Sequence, residues 1–179
     1  MNLKEKYRNQ IVKELMGELG ISNPMRVPKI VKITINSGIG KALEDPRLID
    51  VMVEDMSAFA GQKALPTFAK KDISGFGRLK KGDKVGVFVT LRGNKMWNLL
   101  EKLVNVVLPN IRNFKGLSSK SFDGRGNYSF GIRQHVVFPE SDQNRLEKSM
   151  GLQINITTTA ESDQEALVLL RKIGLPIVN

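Results

Sequence analysis

The residues with the clearest chemical potential form a polar row. Lys32, Thr34 and Asn36 alternate along one apolar segment, Thr90 and Arg92 alternate along another, and Gln62 lies between the two in sequence. Hydroxyl, amide and cationic groups set side by side can hydrogen-bond RNA sugar edges and phosphates at short range. The same pattern also describes an ordinary solvated sheet face. Asn36 and Gln62 weigh against that reading, because both are poor strand formers placed at strand ends.

Two further stretches invite a chemical reading. Residues 77–84, GRLKKGDK, approach phosphate-loop spacing, but Asp83 takes the lysine position and Lys84 that of the hydroxyl. An acid there repels phosphate, and the segment enters a strand instead of leaving one to open a helix. The loop therefore reads as a basic surface for RNA backbone, carried by Lys70, Lys71, Arg78, Lys80 and Lys81, with a merely solvated loop as the plain alternative. Asn113–Gly131 combines glycines and serines with four aromatics and with Lys115, Lys120 and Arg125 against Asp123. Small residues let the backbone approach a surface, and Phe and Tyr offer stacking faces. A loop folded on its own hydrophobics fits that stretch equally well.

The remaining polar groups suggest no catalysis. Asp50, Glu54 and Asp55 share a helix face and read as its solvated side. Ser118, Ser119 and Ser121 have no base oriented by an acid. His135 alternates with Val136 and Phe138 and reads as a surface or half-buried strand residue. Asp123-Gly-Arg-Gly126 is too short and charged for a dinucleotide fingerprint. With no cysteine and one histidine, no metal site, cofactor or catalytic residue is expected.

The elements that must position these groups follow from periodicity. Leu3, Tyr7, Ile11, Leu15 and Leu19 predict a helix over 3–19, stopped at Gly20. After a break at Asn23-Pro24, a strand is predicted over 27–36, with Val31, Ile33 and Ile35 on one face, followed by a loop over 37–41. Asp45 and Pro46 begin a helix running to Ala60, and Pro66 makes 62–68 an edge strand. A strand over 84–92 precedes a helix from Asn94 to Val107 that Pro109 ends. Short β pieces are predicted at 128–132 and 134–138, a helix near 140–148 and a strand over 152–160. Ser162 and Glu165 form a capping box for the last helix. The sum is an α+β fold: a mostly antiparallel sheet packed on one side by helices, with the other face open for RNA.

Charge points the same way. The 179 residues carry a net charge of +10. Residues 66–133 hold 14 Lys or Arg and 4 Asp or Glu, which is the whole excess, 14 − 4 = +10. Such a concentrated positive field attracts polyanions and releases their counterions on binding. No apolar run spans a bilayer and no secretory leader is seen, so an intracellular protein without membrane contact is expected. One domain is expected over 1–179, with long loops at about 71–83 and 109–127.

Five runs carry a resemblance: VPKIVKITINSGIG (27–40), GQKALPTFAKK (61–71), VTLRGNKMW (89–97), LPNIRNFKGLSSKSFDGRGNYSFGI (108–132) and INITTTAESDQEALVLL (154–170). In order and spacing they resemble the bacterial large-subunit ribosomal protein five family. The resemblance implies a non-enzymatic protein of the cytoplasmic ribosome that binds 5S ribosomal RNA, attaches it to the central protuberance and also meets 23S rRNA. It implies 5S contacts by Lys32, Asn36, Gln62, Thr90 and Arg92. A loop at 71–83 reaching peptidyl-site transfer RNA is implied, as is an intersubunit bridge to small-subunit protein thirteen around Arg112, Lys115, Lys120 and Arg125. The chain departs from the family pattern where Phe88 replaces a lysine, where Asp72 replaces a serine in a loop one residue longer, and in its IVN tail. Two other classes remain open from the residues alone: a nucleotide enzyme built on 77–84, and a protein-interaction module built on 109–135.

Overall fold

Leu3, Ile11 and Leu15 are buried along one side of the first helix, as their spacing demands. The computed structural model describes residues 2–40, 45–72, 79–141 and 150–178. The first helix, α1, comprises Leu3–Lys6, a π-helical turn Tyr7–Ile11, and Val12–Leu19. Asn2 and Glu5 form a reciprocal capping box at its start, and Gly20 ends it with φ 64°. A turn at Pro24–Arg26, capped by the Asn23 side chain, leads to strand β1, Ile30–Gly38. The strand runs two residues beyond the expected end and takes in Ser37, whose hydroxyl donates to the Gly151 carbonyl at 2.8 Å. Val31 departs from the predicted apolar face and is 41% exposed, whereas Ile33 and Ile35 are fully buried.

Helix α2 is Arg47–Ala60, and the Asp45 carboxylate accepts from the Arg47 N–H at 3.1 Å. Strand β2, Leu65–Phe68, and strand β3, Lys84–Leu91, pair antiparallel. Helix α3 is Gly93–Lys102, continuing through a π turn Leu103–Val107 and a last turn Leu108–Asn110. Pro109 therefore does not end the helix. The wide π turn resets the hydrogen-bond ladder, and Pro109 falls at the start of a new turn, where a missing N–H is tolerated.

Strand β4 is Leu117–Ser118, β5 is Tyr128–Ile132 and β6 is Leu152–Thr158. Helix α4 is Asp163–Ile173, and β7 is Ile177–Val178, which pairs in parallel with β4. Ser162 caps α4 as expected, but the Glu165 carboxylate accepts from Glu161 and not from Ser162. Residues 134–138 do not form a strand. His135–Val137 is a 3-10 turn, because its backbone bonds close locally, with Phe138 N–H donating to the His135 carbonyl at 3.1 Å. Most of the helix predicted near 140–148 lies outside the described residues.

The fold is α+β, with a five-stranded antiparallel sheet in the order β2-β3-β1-β6-β5. The short edge strand β2 contains Pro66, at a position where a missing donor costs little. The chain divides into two compact units: Met1–Ile33, Arg92–Phe130 and Asn155–Asn179 form one, and Thr34–Leu91 and Gly131–Ile154 the other. In the first, α1 meets α3 through the Tyr7 and Trp97 rings, 5.1 Å apart, and Lys172 of α4 bridges Glu14 and Glu18 at 3.1 Å each. In the second, α2 packs on β3, and Phe59 stacks on Phe138 with ring centres 4.1 Å apart. Val87, Val89 and Leu91 are buried, whereas Phe88 and Thr90 on the alternate face are only half-buried.

Candidate nucleic-acid interface

The alternation of β1 and β3 sets the polar row. Thr34 and Asn36 stand on one face of β1, and burial of Ile33 and Ile35 on the other face fixes that orientation. Within the second unit, the Thr34 hydroxyl lies 3.4 Å from the Thr90 hydroxyl. Gln62, in the turn between α2 and β2, donates from its side-chain amide to the Thr90 carbonyl at 3.0 Å. These bonds bring Thr34, Gln62 and Thr90 together, all half-buried. The cluster holds hydroxyl and amide groups in fixed geometry, suited to short hydrogen bonds with sugar hydroxyls and phosphate oxygens.

Lys32 and Arg92 belong to the other unit. Lys32 is half-buried on β1; Arg92 is exposed and extended, just ahead of α3. Lys84, which alternation groups with Thr90, instead pairs with Asp50 of α2 at 3.2 Å. The register shift between Thr67 and Phe68, which sets Lys84 opposite Phe68, interrupts the regular alternation there.

The basic loop after β2 is described at its two ends. Lys70, Lys71, Lys80 and Lys81 are exposed, and Arg78 lies outside the described residues. Its base is closed by backbone bonds from Ala69 to Asp83 at 2.8 Å and from Gly82 to Ala69 at 3.0 Å. The Asp83 carboxylate accepts from Lys80 N–H and Asp72 from Lys81 N–H, at 2.8 and 2.6 Å. The two acids thus organise the loop's backbone, and the loop leads into β3, as the phosphate-loop comparison anticipated.

Arg112, Lys115, Lys120 and Arg125 are exposed along 112–125. The aromatics of this stretch do not all offer stacking faces: Tyr128 and Phe130 are buried. The Tyr128 hydroxyl donates to the Ser118 carbonyl at 2.8 Å, and its ring lies 4.6 Å from that of Phe122. Burial pushes the Tyr128 phenol above its ordinary pKa. The stretch is folded on its own hydrophobics and presents cations outward.

Sequence reasoning missed two carboxylate roles. Asp55 is buried on α2 and pairs with the buried His135, so Asp55 is not on the solvated side that periodicity implied, and His135 is neither surface nor half-buried. Asp163 holds the 124–126 backbone, and its only sequence signal was its place beside the helix-capping Ser162.

Comparison with known proteins places this architecture. Residues 23–78 match the family model described as Ribosomal protein L5, and residues 84–177 match the model for the C-terminus of the same ribosomal family. The chain is 47% identical over 174 residues to large ribosomal subunit protein uL5 of Carboxydothermus hydrogenoformans, covering 97% of each chain. It is 48% identical to that of Geobacter sulfurreducens and 49% identical to that of Halothermothrix orenii, again over 97% of each chain. An α+β protein with this sequence is a structural, non-enzymatic component of the large ribosomal subunit, acting in translation. The chain belongs to the ribosomal protein L5 family. Among the described residues, no helix is long and apolar enough to cross a membrane.

Proposed function

We propose that this chain binds 5S rRNA through the polar sheet face and attaches it to the central protuberance of the cytoplasmic ribosome. Lys32, Asn36, Gln62, Thr90 and Arg92 supply the contacts. The supporting observation is the hydrogen-bonded cluster of Thr34, Gln62 and Thr90, half-buried on a face whose opposite side is core. A hydrogen-bonded polar face loses little conformational freedom on binding, and cations add counterion release.

Two subsidiary contacts follow from charge placement. Lys70, Lys71, Arg78, Lys80 and Lys81 make the 71–83 loop a backbone contact for peptidyl-site tRNA and 23S rRNA. Arg112, Lys115, Lys120 and Arg125 face the small subunit at its protein thirteen. A gel shift with 5S rRNA tests the main reading. Asn36→Ala with Arg92→Ala should weaken binding strongly, while Asp50→Ala, on the helix side, should leave it unchanged. Equal binding by all three proteins removes the sheet face from consideration.

A further inference from the structure

Four consecutive backbone N–H groups end on two carboxylates. Gly124 and Gly126 donate to Asp163 at 3.1 and 2.9 Å, while Arg125 and Asn127 donate to Asp123 at 2.8 and 3.1 Å. The Asn127 side-chain amide adds a bond to Asp123 at 2.7 Å. With these four amides turned inward, the turn is not itself an anion-binding nest. It is further held from below. Thr158 donates from its hydroxyl to the Gly126 carbonyl at 2.7 Å and from its N–H to the Asn127 side-chain oxygen at 3.2 Å. Gly126 has φ 76°, and a Cβ there would stand 2.9 Å from both the Ala160 side chain and its carbonyl. Arg125 is therefore exposed between two side-chain-free residues, on a turn with little freedom left to lose.

A guanidinium presented this way suits a phosphate, which it meets bidentately, and pre-organisation spares the ordering cost of binding. RNA is favoured over an acidic protein because the chain's entire charge excess lies in 66–133, the region that contains this turn. We infer that Asp123 and Asp163 are positioning residues that clamp the 124–127 turn so that Arg125 meets an rRNA backbone phosphate. The inference rests on the RNA-binding reading above and, of the four cations set against the small subunit there, reassigns Arg125 alone to rRNA.

Two acids in a basic region have opposite effects under the two roles open to them. As mere charges they repel RNA, and removing one tightens binding; as clamps they support Arg125, and removing one weakens it. The test is binding of Asp163→Ala, Asp163→Asn and Arg125→Ala full-length chains to 5S rRNA and, separately, to protein-free 23S rRNA across a KCl series. Hydrogen exchange of the 124–127 amides is followed on the free proteins. Asp163→Ala should speed exchange at Gly124 and Gly126 and weaken binding to one of the RNAs several-fold. Asp163→Asn, which keeps one acceptor, should fall between it and the parent chain. Arg125→Ala should weaken the same complex and reduce its salt slope by about one. Unchanged exchange, or equal or tighter RNA binding by Asp163→Ala, overturns the inference. Arg125→Ala with unaltered RNA binding overturns it too, in favour of a protein contact. If the parent chain binds neither RNA, the RNA-binding reading itself fails.

Discussion

Asp55 and His135, 80 residues apart in sequence, meet in the interior of one unit with Asp55 Oδ2 3.1 Å from His135 Nε2. The Met150 N–H donates to His135 Nδ1 at 3.0 Å, so Nε2 carries the ring proton and donates to the carboxylate. Ser141 donates to the His135 carbonyl at 3.2 Å. Removing the histidine leaves the Asp55 carboxylate buried without its ring donor. His135→Leu should therefore destabilise the protein by about 3–5 kcal/mol, read as a lowered denaturant midpoint. Asp55→Leu combined with His135→Leu should cost less than the sum of the single changes. Additive losses would mean that the two side chains are not coupled.

Tyr7 and Tyr128 are the two tyrosines, and burial raises both phenols. Tyr7, whose hydroxyl donates to the Pro28 carbonyl at 2.8 Å, is pushed from 10.0 up to about 12. A raised acid favours the folded state while it stays protonated. Its contribution is complete below 10.0 and is lost as pH climbs from there toward about 12. Ultraviolet titration of the native protein should show no tyrosine ionising at its ordinary pKa, with normal ionisation in denaturant. A native transition at the ordinary value would contradict the packing of Tyr7.

Asp123 is shifted the other way. Bonds from the Asn127 side chain and from the Arg125 and Asn127 N–H groups hold its carboxyl below the usual carboxylate range. A depressed acid favours the folded turn above its unfolded pKa, and that preference is lost as pH falls through its lower folded value. An NMR titration of the side-chain carboxyl should give a midpoint below the usual aspartate range, and Asn127→Ala should raise it.

Gly86 lies where β3 passes close to β1 and β2. A Cβ there would stand 2.5 Å from the Ser37 carbonyl oxygen and 2.9 Å from Thr67 Oγ1. The first is backbone and cannot rotate away. Gly86→Ala should cost about 1–3 kcal/mol, seen as a lower melting temperature. Gly38→Ala, with nothing within 4 Å, should cost much less.

Alternating hydrophobics revealed β1 and β3, because a strand with one buried face must repeat every second residue. They did not reveal the 3-10 turn at His135–Val137, whose five-residue context alternates like a strand but whose hydrogen bonds close within the turn and onto Met150. Helical spacing placed Asp50 and Glu54 in solvent correctly. It misplaced Asp55, because a distant histidine can satisfy a buried carboxylate and sequence spacing carries no trace of that partner. The shared face of Thr34 and Thr90 was legible for the same reason as the strands, whereas Gln62 joins them from a turn. The clamp on Arg125 was not, since Asp163 lies 37 residues from Gly126 and reaches it only through the fold.

Binding of the full-length chain to 5S rRNA across a salt series tests the central claim most directly. If the sheet face and its cations neutralise about four phosphates, affinity should fall roughly a hundredfold between about 50 and 200 mM KCl. Combining Asn36→Ala with Arg92→Ala should weaken binding throughout the series and flatten that slope. Absent binding, or affinity indifferent to salt, would contradict the account.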